Sequence, residues 1–212
     1  SINKSKNFTP SEIEFKNIYL EIPRLIFNLS KDNKFKFINI SSDGVFSGRK
    51  GNYSELDIPD SKDFYGKYKI LAEEISNQIL TIRTSIIGHQ LSSKNSLLEW
   101  FINSKNNVDG YSKVTYSGLT ALEFSKILRL IIEFPQNAVG LFNLSGPVIS
   151  KYELLNIIKN IYKLDLNIRI NKSIVIDRSL NDNKIRSFTS IHKTSWKKMI
   201  KEMKLNPHGF NR

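Results

Sequence analysis

Apolar positions fall into short runs and amphipathic stretches separated by polar turns. Thr9-Pro10-Ser11-Glu12 opens the first stretch: Thr9 is placed to cap a helix, Pro10 suits its first position and Glu12 completes a capping box. That helix is expected to run to about Leu29, with Pro23 as a kink or break. Phe35-Lys36-Phe37-Ile38-Asn39-Ile40 is rich in β formers and predicts a strand ending in the polar turn Ser41-Ser42-Asp43-Gly44. Residues 47–63 are rich in Gly, Ser and Asp and read as loop. A helix follows from Phe64 to Gln78, apolar at Ile70, Leu71 and Ile75, and then a strand over Ile79–Thr84.

Further on, Thr120-Ala121-Leu122-Glu123 predicts a capping box and a helix to about Phe134. Val139–Leu144 predicts a strand, and Ser150-Lys151-Tyr152-Glu153 a third box opening a helix to about Tyr162. Strands alternating with helices of this length imply an α/β fold with a largely parallel sheet flanked by helices. The division is expected near Gly88. Residues 1–88 form part of a Rossmann-like unit, and residues 89–212 form a small C-terminal α/β substrate lobe with elements that return to the core.

Composition narrows the class without naming it. The apolar runs are short; Ile127–Leu128 and Leu130–Ile132 are already interrupted by Arg129, far from the roughly 18 residues a membrane-spanning helix needs. There are no cysteines, which excludes disulfides and thiolate chemistry and is compatible with a reducing cytoplasm. The net charge is +12, and residues 151–212 hold 14 Lys/Arg against 5 Asp/Glu. Such an excess fits a solvated surface, an anionic small substrate or a nucleic acid. The aromatics do not interleave with the basic residues as an RNA-binding motif requires, so nucleic acid is the weakest of the three. His89, His192 and His208 lie far apart and show no metal-binding spacing, and neither a P-loop nor a Gly-x-Ser-x-Gly elbow is present. Asp57 and Asp60 sit in a loop beside Pro59 and call for no catalytic role.

The candidate chemistry lies in three neighbouring segments. An apolar strand runs into Ser41-Ser42. Tyr65 and Lys69 stand four residues apart at the start of a predicted helix. A second strand ends in Arg83-Thr84-Ser85. Positions i and i+4 share a helix face, and an ammonium beside a phenol favours the phenolate. Lys69 is therefore expected to pull the Tyr65 pKa below its ordinary value of about 10. A phenol so tuned exchanges a proton with a carbonyl or carbinol oxygen, and a serine hydroxyl holds the same oxygen in place while a cofactor carries the redox step. The Tyr-x-x-x-Lys spacing is common by chance; the order strand, serine, Tyr-x-x-x-Lys helix, strand is what gives it weight.

In that order the segments resemble the dTDP-4-dehydrorhamnose reductases, which are extended short-chain dehydrogenases/reductases. Phe37-Ile38-Asn39-Ile40-Ser41-Ser42-Asp43-Gly44-Val45-Phe46-Ser47-Gly48 is similar to their strand and turn, Tyr65-Gly66-Lys67-Tyr68-Lys69 to their Tyr-Gly-x-x-Lys, and Arg83-Thr84-Ser85-Ile86-Ile87-Gly88 to their Arg-Thr-Ser-x-x-Gly. Asp177-Arg178-Ser179-Leu180, Trp196 with its amphipathic tail, and Asn17 fit later and earlier parts of the pattern. The resemblance implies NADPH or NADH as cofactor and a 4-keto nucleotide sugar as substrate, in deoxysugar or polysaccharide biosynthesis. It implies Ser42, Tyr65 and Lys69 as the catalytic set. Tyr65, Lys69, Thr84 and Ser85 would lie toward the cofactor, and Ser42, Asp43, Ile86 and Arg178 toward the substrate. It is also compatible with a homodimer. A non-catalytic relative is the alternative, because the regulatory subunit of methionine adenosyltransferase resembles the same reductases; the intact Ser42/Tyr65/Lys69 set favours an enzyme.

The glycine-rich turn that opens this family is not matched. Gly44, Gly48 and Gly51 follow the serine and are wrongly spaced for it. The resemblance therefore implies that about 60–70 residues of a complete reductase are missing from this chain, the size of the missing part of a βαβαβ half, and that this chain alone holds a dinucleotide poorly.

Overall fold

The computed structural model describes residues 11–33, 35–75, 77–90, 96–135 and 138–207. The first helical run begins with α1 (Glu12–Lys16), passes through a π-helical stretch (Asn17–Glu21) and continues as α2 (Ile22–Asn33). Its cap is Ser11, whose side chain accepts from Glu14 N while the Glu14 carboxylate accepts from Ser11 N at 2.6 Å. The expected box on Thr9 is thus displaced by two residues, and Thr9 and Pro10 lie outside the described residues. Pro23 is the second residue of α2. The helix accommodates its missing N–H by widening to π geometry just ahead of it rather than breaking.

Next come β1 (Ile38–Ser42), a 3-10 turn (Asp43–Val45), α3 (Phe64–Ala72) with a 3-10 extension (Glu73–Ile75), β2 (Leu80–Thr84) and β3 (Ile86–Ile87). β1 starts at Ile38, three residues later than expected, and carries on through Ser42. The serine is therefore the last residue of a strand rather than part of a turn. The remaining elements are α4 (Leu97–Ile102), β4 (Val108–Tyr111), β5 (Val114–Tyr116), β6 (Leu119–Thr120), α5 (Ala121–Ile132), β7 (Gly140–Asn143), β8 (Ile149–Ser150), α6 (Lys151–Tyr162), β9 (Ile168–Asn171), β10 (Ile176–Asp177), α7 (Asn183–Ser187) and α8 (Trp196–Leu205).

The main sheet is parallel in the order β1-β2-β7, with Ser42 opposite Thr84 and Arg83 opposite Asn143. β7 is its only strand after Gly88 among the described residues. Three small sheets, β10-β5-β8, β3-β6 and β4-β9, are built mostly from the second half of the chain. All five residues of β2 are buried, as expected of a parallel strand covered on both faces. Leu80 and Ile82 enter the main core with Leu144, Leu154, Ile158, Trp196 and Ile200.

The two later boxes differ. At α6, Ser150 and Glu153 satisfy each other's backbone N–H groups as expected. At α5, Thr120 accepts from Glu123 N, but the Glu123 carboxylate turns away to receive the Thr194 hydroxyl and to pair with Lys126. Half of that box gives way to a tertiary contact. Among the described residues no helix is long and apolar enough to cross a membrane, and no group of acidic or histidine residues is arranged to hold a metal ion.

Candidate active site

Ser42 ends β1 with its hydroxyl accepting from Gly44 N at 3.0 Å and donating to Asp43 Oδ1 at 3.2 Å. Tyr65 and Lys69 come from the first turns of α3, which is capped by Asp63 accepting from Gly66 N at 2.7 Å. Two glycines let the helix approach the serine turn. A methyl group on Gly66 would lie 2.6 Å from the Gly44 carbonyl oxygen, and one on Gly44 would lie 2.9 Å from the Tyr65 ring and 3.2 Å from Ser42 Oγ. Any side chain there would occupy the space where the phenol and the hydroxyl converge. The Tyr-Gly pair of the sequence pattern has its steric reason in this contact.

Burial pushes the Tyr65 pKa up to about 12; the nearby Ser42 hydroxyl pulls the other way, and the Asp43 charge adds to the rise. The expected depression by Lys69 is not found. The Lys69 ammonium donates instead to the Ile40 carbonyl at 2.7 Å and lies 5.1 Å from the centre of the Tyr19 ring. Sharing a helix face does not make two side chains touch when one has a better acceptor on the neighbouring strand. Burial also lowers the Lys69 pKa, while Glu73, four residues on at the start of the 3-10 extension, raises it. At neutral pH the phenol is therefore protonated, the state required of a group that donates a proton to a developing alkoxide.

Thr84 is buried and its hydroxyl has no hydrogen-bond partner, directly across the strand pair from Ser42. Ser85 is half-buried, and Ile86 is 45% exposed. Arg178 is half-buried with its Nε unpartnered. It shares a cleft of about 350 Å³ with Arg49, Asp60, Lys62 and Asp63. The two loop aspartates have local duties: Asp60 receives the Ser47 backbone and hydroxyl, and Asp57 receives Ser54 and Lys50. Asn17 is exposed in the π-helical stretch. Tyr19, two residues on, is what meets Tyr65, edge to face with centroids 4.9 Å apart. His89 bonds Glu99 at 2.7 Å and Tyr162 at 3.0 Å. Within the coil it is a partnered histidine.

Sequence reasoning missed two groups of residues. The first is a buried network behind the site. Arg83 Nε and Nη2 donate to the two Glu73 oxygens at 2.9 and 2.6 Å, Ser41 Oγ donates to Glu73 at 2.5 Å, and the guanidinium lies 5.0 Å from the Phe46 ring centre. The spacing Lys69 to Glu73, again i and i+4, was its only trace in the sequence. The second is Tyr116 and Lys151, considered below.

No protein-family model matches the chain, and neither does any curated protein sequence. Solved structures do. A hypothetical dTDP-4-dehydrorhamnose reductase from Sulfolobus tokodaii shares 26% identity at a TM-score of 0.74, covering 87% of this chain and 70% of its own. The chain has the fold of the extended short-chain dehydrogenases/reductases. Among others with that fold, the dTDP-4-dehydrorhamnose reductase of Bacillus anthracis, solved with NADP, is 18% identical with a TM-score of 0.72, covering 92% of this chain and 71% of its own. The Clostridium acetobutylicum protein is 16% identical with a TM-score of 0.76, covering 95% and 78% respectively.

Proposed function

We propose that this chain carries the catalytic half of an NAD(P)H-dependent reductase acting on the 4-keto group of a nucleotide-linked sugar, in deoxysugar or polysaccharide biosynthesis. The observation that carries this is the convergence of the Ser42 hydroxyl and the Tyr65 phenol over Gly44, with Thr84 opposite Ser42. One structure sharing 26% identity is that of a protein described as a hypothetical reductase of this kind, and the Bacillus anthracis reductase was solved with NADP.

The nicotinamide cofactor supplies the hydride when bound. Residues on this chain fit its nicotinamide end. The buried, unpartnered Thr84 hydroxyl faces the site beside Ser42, and Ser85 follows it. Tyr65 and Lys69 lie where ribose hydroxyls would exchange for the Ile40 carbonyl that Lys69 now holds. Ser42 holds the substrate oxygen, Tyr65 donates the proton to it, and Asp43, Ile86 and Arg178 line the sugar side.

Oxidation of NADPH or NADH in the presence of a dTDP-4-keto-6-deoxyhexose tests this reading. Tyr65→Phe is expected to lower the rate by about 10²–10⁴-fold, the usual contribution of a positioned acid. Unchanged turnover in that variant would sink the assignment. Nucleotide-sugar binding without turnover, at NADPH concentrations where cofactor binding to the same chain is measured directly, would favour the non-catalytic alternative.

A further inference from the structure

The small sheet β10-β5-β8 gathers three polar side chains from segments far apart in sequence. Tyr116 ends β5, Lys151 directly follows β8, and Arg178 directly follows β10. The pairings Tyr116 with Ile149, Thr115 with Ser150 and Asp177 with Thr115 bring these strand ends together, and Arg178 N donates to the Thr115 carbonyl at 3.0 Å. The group faces Asp43, the residue after Ser42, whose carboxyl feels the charges of both Arg178 and Lys151.

None of these groups is satisfied within the protein. Tyr116 is 5% exposed, yet its hydroxyl has no hydrogen-bond partner, and neither has Arg178 Nε. The Lys151 ammonium makes one close contact, 3.8 Å from the centre of the Tyr116 ring. Among the described residues neither cation forms an ion pair, with Asp43 or with any other carboxylate. Buried polar groups are almost always hydrogen-bonded, and buried charges are costly unless paired. Three unmet donors around one space call for an acceptor from outside. Two cations against one carboxylate leave that space a net positive charge, which a single oxyanion neutralises.

We infer that Lys151, Arg178 and Tyr116 form an oxyanion subsite beside Ser42, reading a phosphate or carboxylate that the substrate carries about one sugar ring from its reacting carbonyl. Lys151 is its central member. Arg178 also lines a neighbouring cleft with Arg49 and Lys62, where Asp60 and Asp63 offset part of the positive charge. The inference rests on the proposed function only in taking the ligand to be the substrate. The depressed pKa of Lys151, brought to about 8 mainly by burial, agrees with an ammonium lacking a resident partner.

Calorimetric titration of the chain with dTDP, thymidine, UDP-glucose and UDP-glucuronate tests the subsite. Lys151→Met is expected to weaken the charged ligands by about tenfold or more, the value of one charge-assisted hydrogen bond. Lys151→Arg should restore binding, and thymidine should be unaffected. Equal losses for all three diphosphates assign the oxyanion to phosphate, and a loss confined to UDP-glucuronate assigns it to the sugar carboxylate. If Lys151→Met does not fold, Lys151→Gln and Arg178→Gln carry the same comparison. Unchanged affinities overturn the inference, as does failure of the unaltered chain to bind any of the three charged ligands. So does disappearance of the Lys151 effect in an Asp43→Asn background, since the ammonium would then serve only Asp43. Failure here leaves reduction through Tyr65 standing, while a Tyr65→Phe chain that still reduces the ketone removes the proposed function and leaves these titrations valid.

Discussion

Two charged clusters flank the serine strand, and they are opposites. Behind it, Glu73 and Arg83 are 7% and 2% exposed and bonded to each other twice, with Ser41 as a third partner. In front of it, Asp43, Lys151 and Arg178 are only half-buried and form no ion pair with one another, and the buried Tyr116 hydroxyl beside them has no partner. The first cluster ties β1, β2 and the end of α3 into one block, so the residues next to its members, Ser42 and Thr84, are fixed relative to Tyr65 and Lys69. The second ties nothing together. Arg83 places two of its three nitrogens on Glu73 and leaves Nη1 without a partner, so this pairing serves the architecture. Lys151 and Arg178, by contrast, have no carboxylate partner at all among the described residues, the difference on which the proposed oxyanion subsite rests.

The sharpest way to break this contrast is to remove one partner from each cluster and compare stabilities. Glu73→Ala leaves the Arg83 guanidinium buried and uncompensated, which costs about 3–5 kcal/mol. For a chain this size each kcal/mol moves the thermal midpoint by roughly 2–4 °C, so a fall of about 10 °C or more is expected by calorimetry. Glu73→Ala and Arg83→Met should not add, because each alone already breaks the pair. A fall of only a degree or two in either variant would show that the rear cluster is not what holds the strands in register.

How far the two clusters could be read from the sequence follows from how local they are. Ser42, Tyr65 and Lys69 were legible because one strand end and one helical turn contain them, and the helix of α6 was legible because Ser150 and Glu153 close a local box. Glu73 was half legible, as the next i+4 step after Lys69, but nothing local says that its partner is Arg83. The front cluster was not legible at all beyond Asp43 and Arg178. Tyr116 and Lys151 reach the site only through the pairing of β5 with β8 and β10, and such long-range pairing leaves no periodic trace. The same competition explains the misreadings. Glu123 left its cap for Thr194, and Lys69 left the Tyr65 phenol for the Ile40 carbonyl. In each case a tertiary partner, a donor for Glu123 and an acceptor for Lys69, beat the sequence neighbour.

A smaller effect tests the third arm of the rear cluster. Ser41 is 3% exposed and its hydroxyl donates to the Glu73 carboxylate at 2.5 Å. Ser41→Ala removes one hydrogen bond to a charged acceptor while the Arg83 bonds remain, so a loss of about 1.5–3 kcal/mol is expected in denaturant unfolding with an unchanged slope. The loss should vanish in a Glu73→Ala background. If it persists there, the serine contributes through packing and not through the network.

The smallest change in stability is expected from the front cluster, and its dependence on pH is more telling than its size. Lys151→Met removes an ammonium that has no ion-pair partner but keeps most of the apolar stem, so two modest effects oppose each other near neutral pH. The Lys151 pKa is about 8 in the folded chain against an ordinary 10.5. Below pH 8 the ammonium is charged in both states and its burial counts fully against folding. Between about 8 and 10.5 the unfolded chain holds a proton that the folded chain has released, so stability contributed by this group rises with pH. The unaltered chain should therefore gain on Lys151→Met as pH increases from 7 to 10, read as the difference between their unfolding free energies at each pH. A pH-independent difference for Lys151→Met would mean that its ammonium is partnered or solvated after all, and the contrast between the two clusters would collapse.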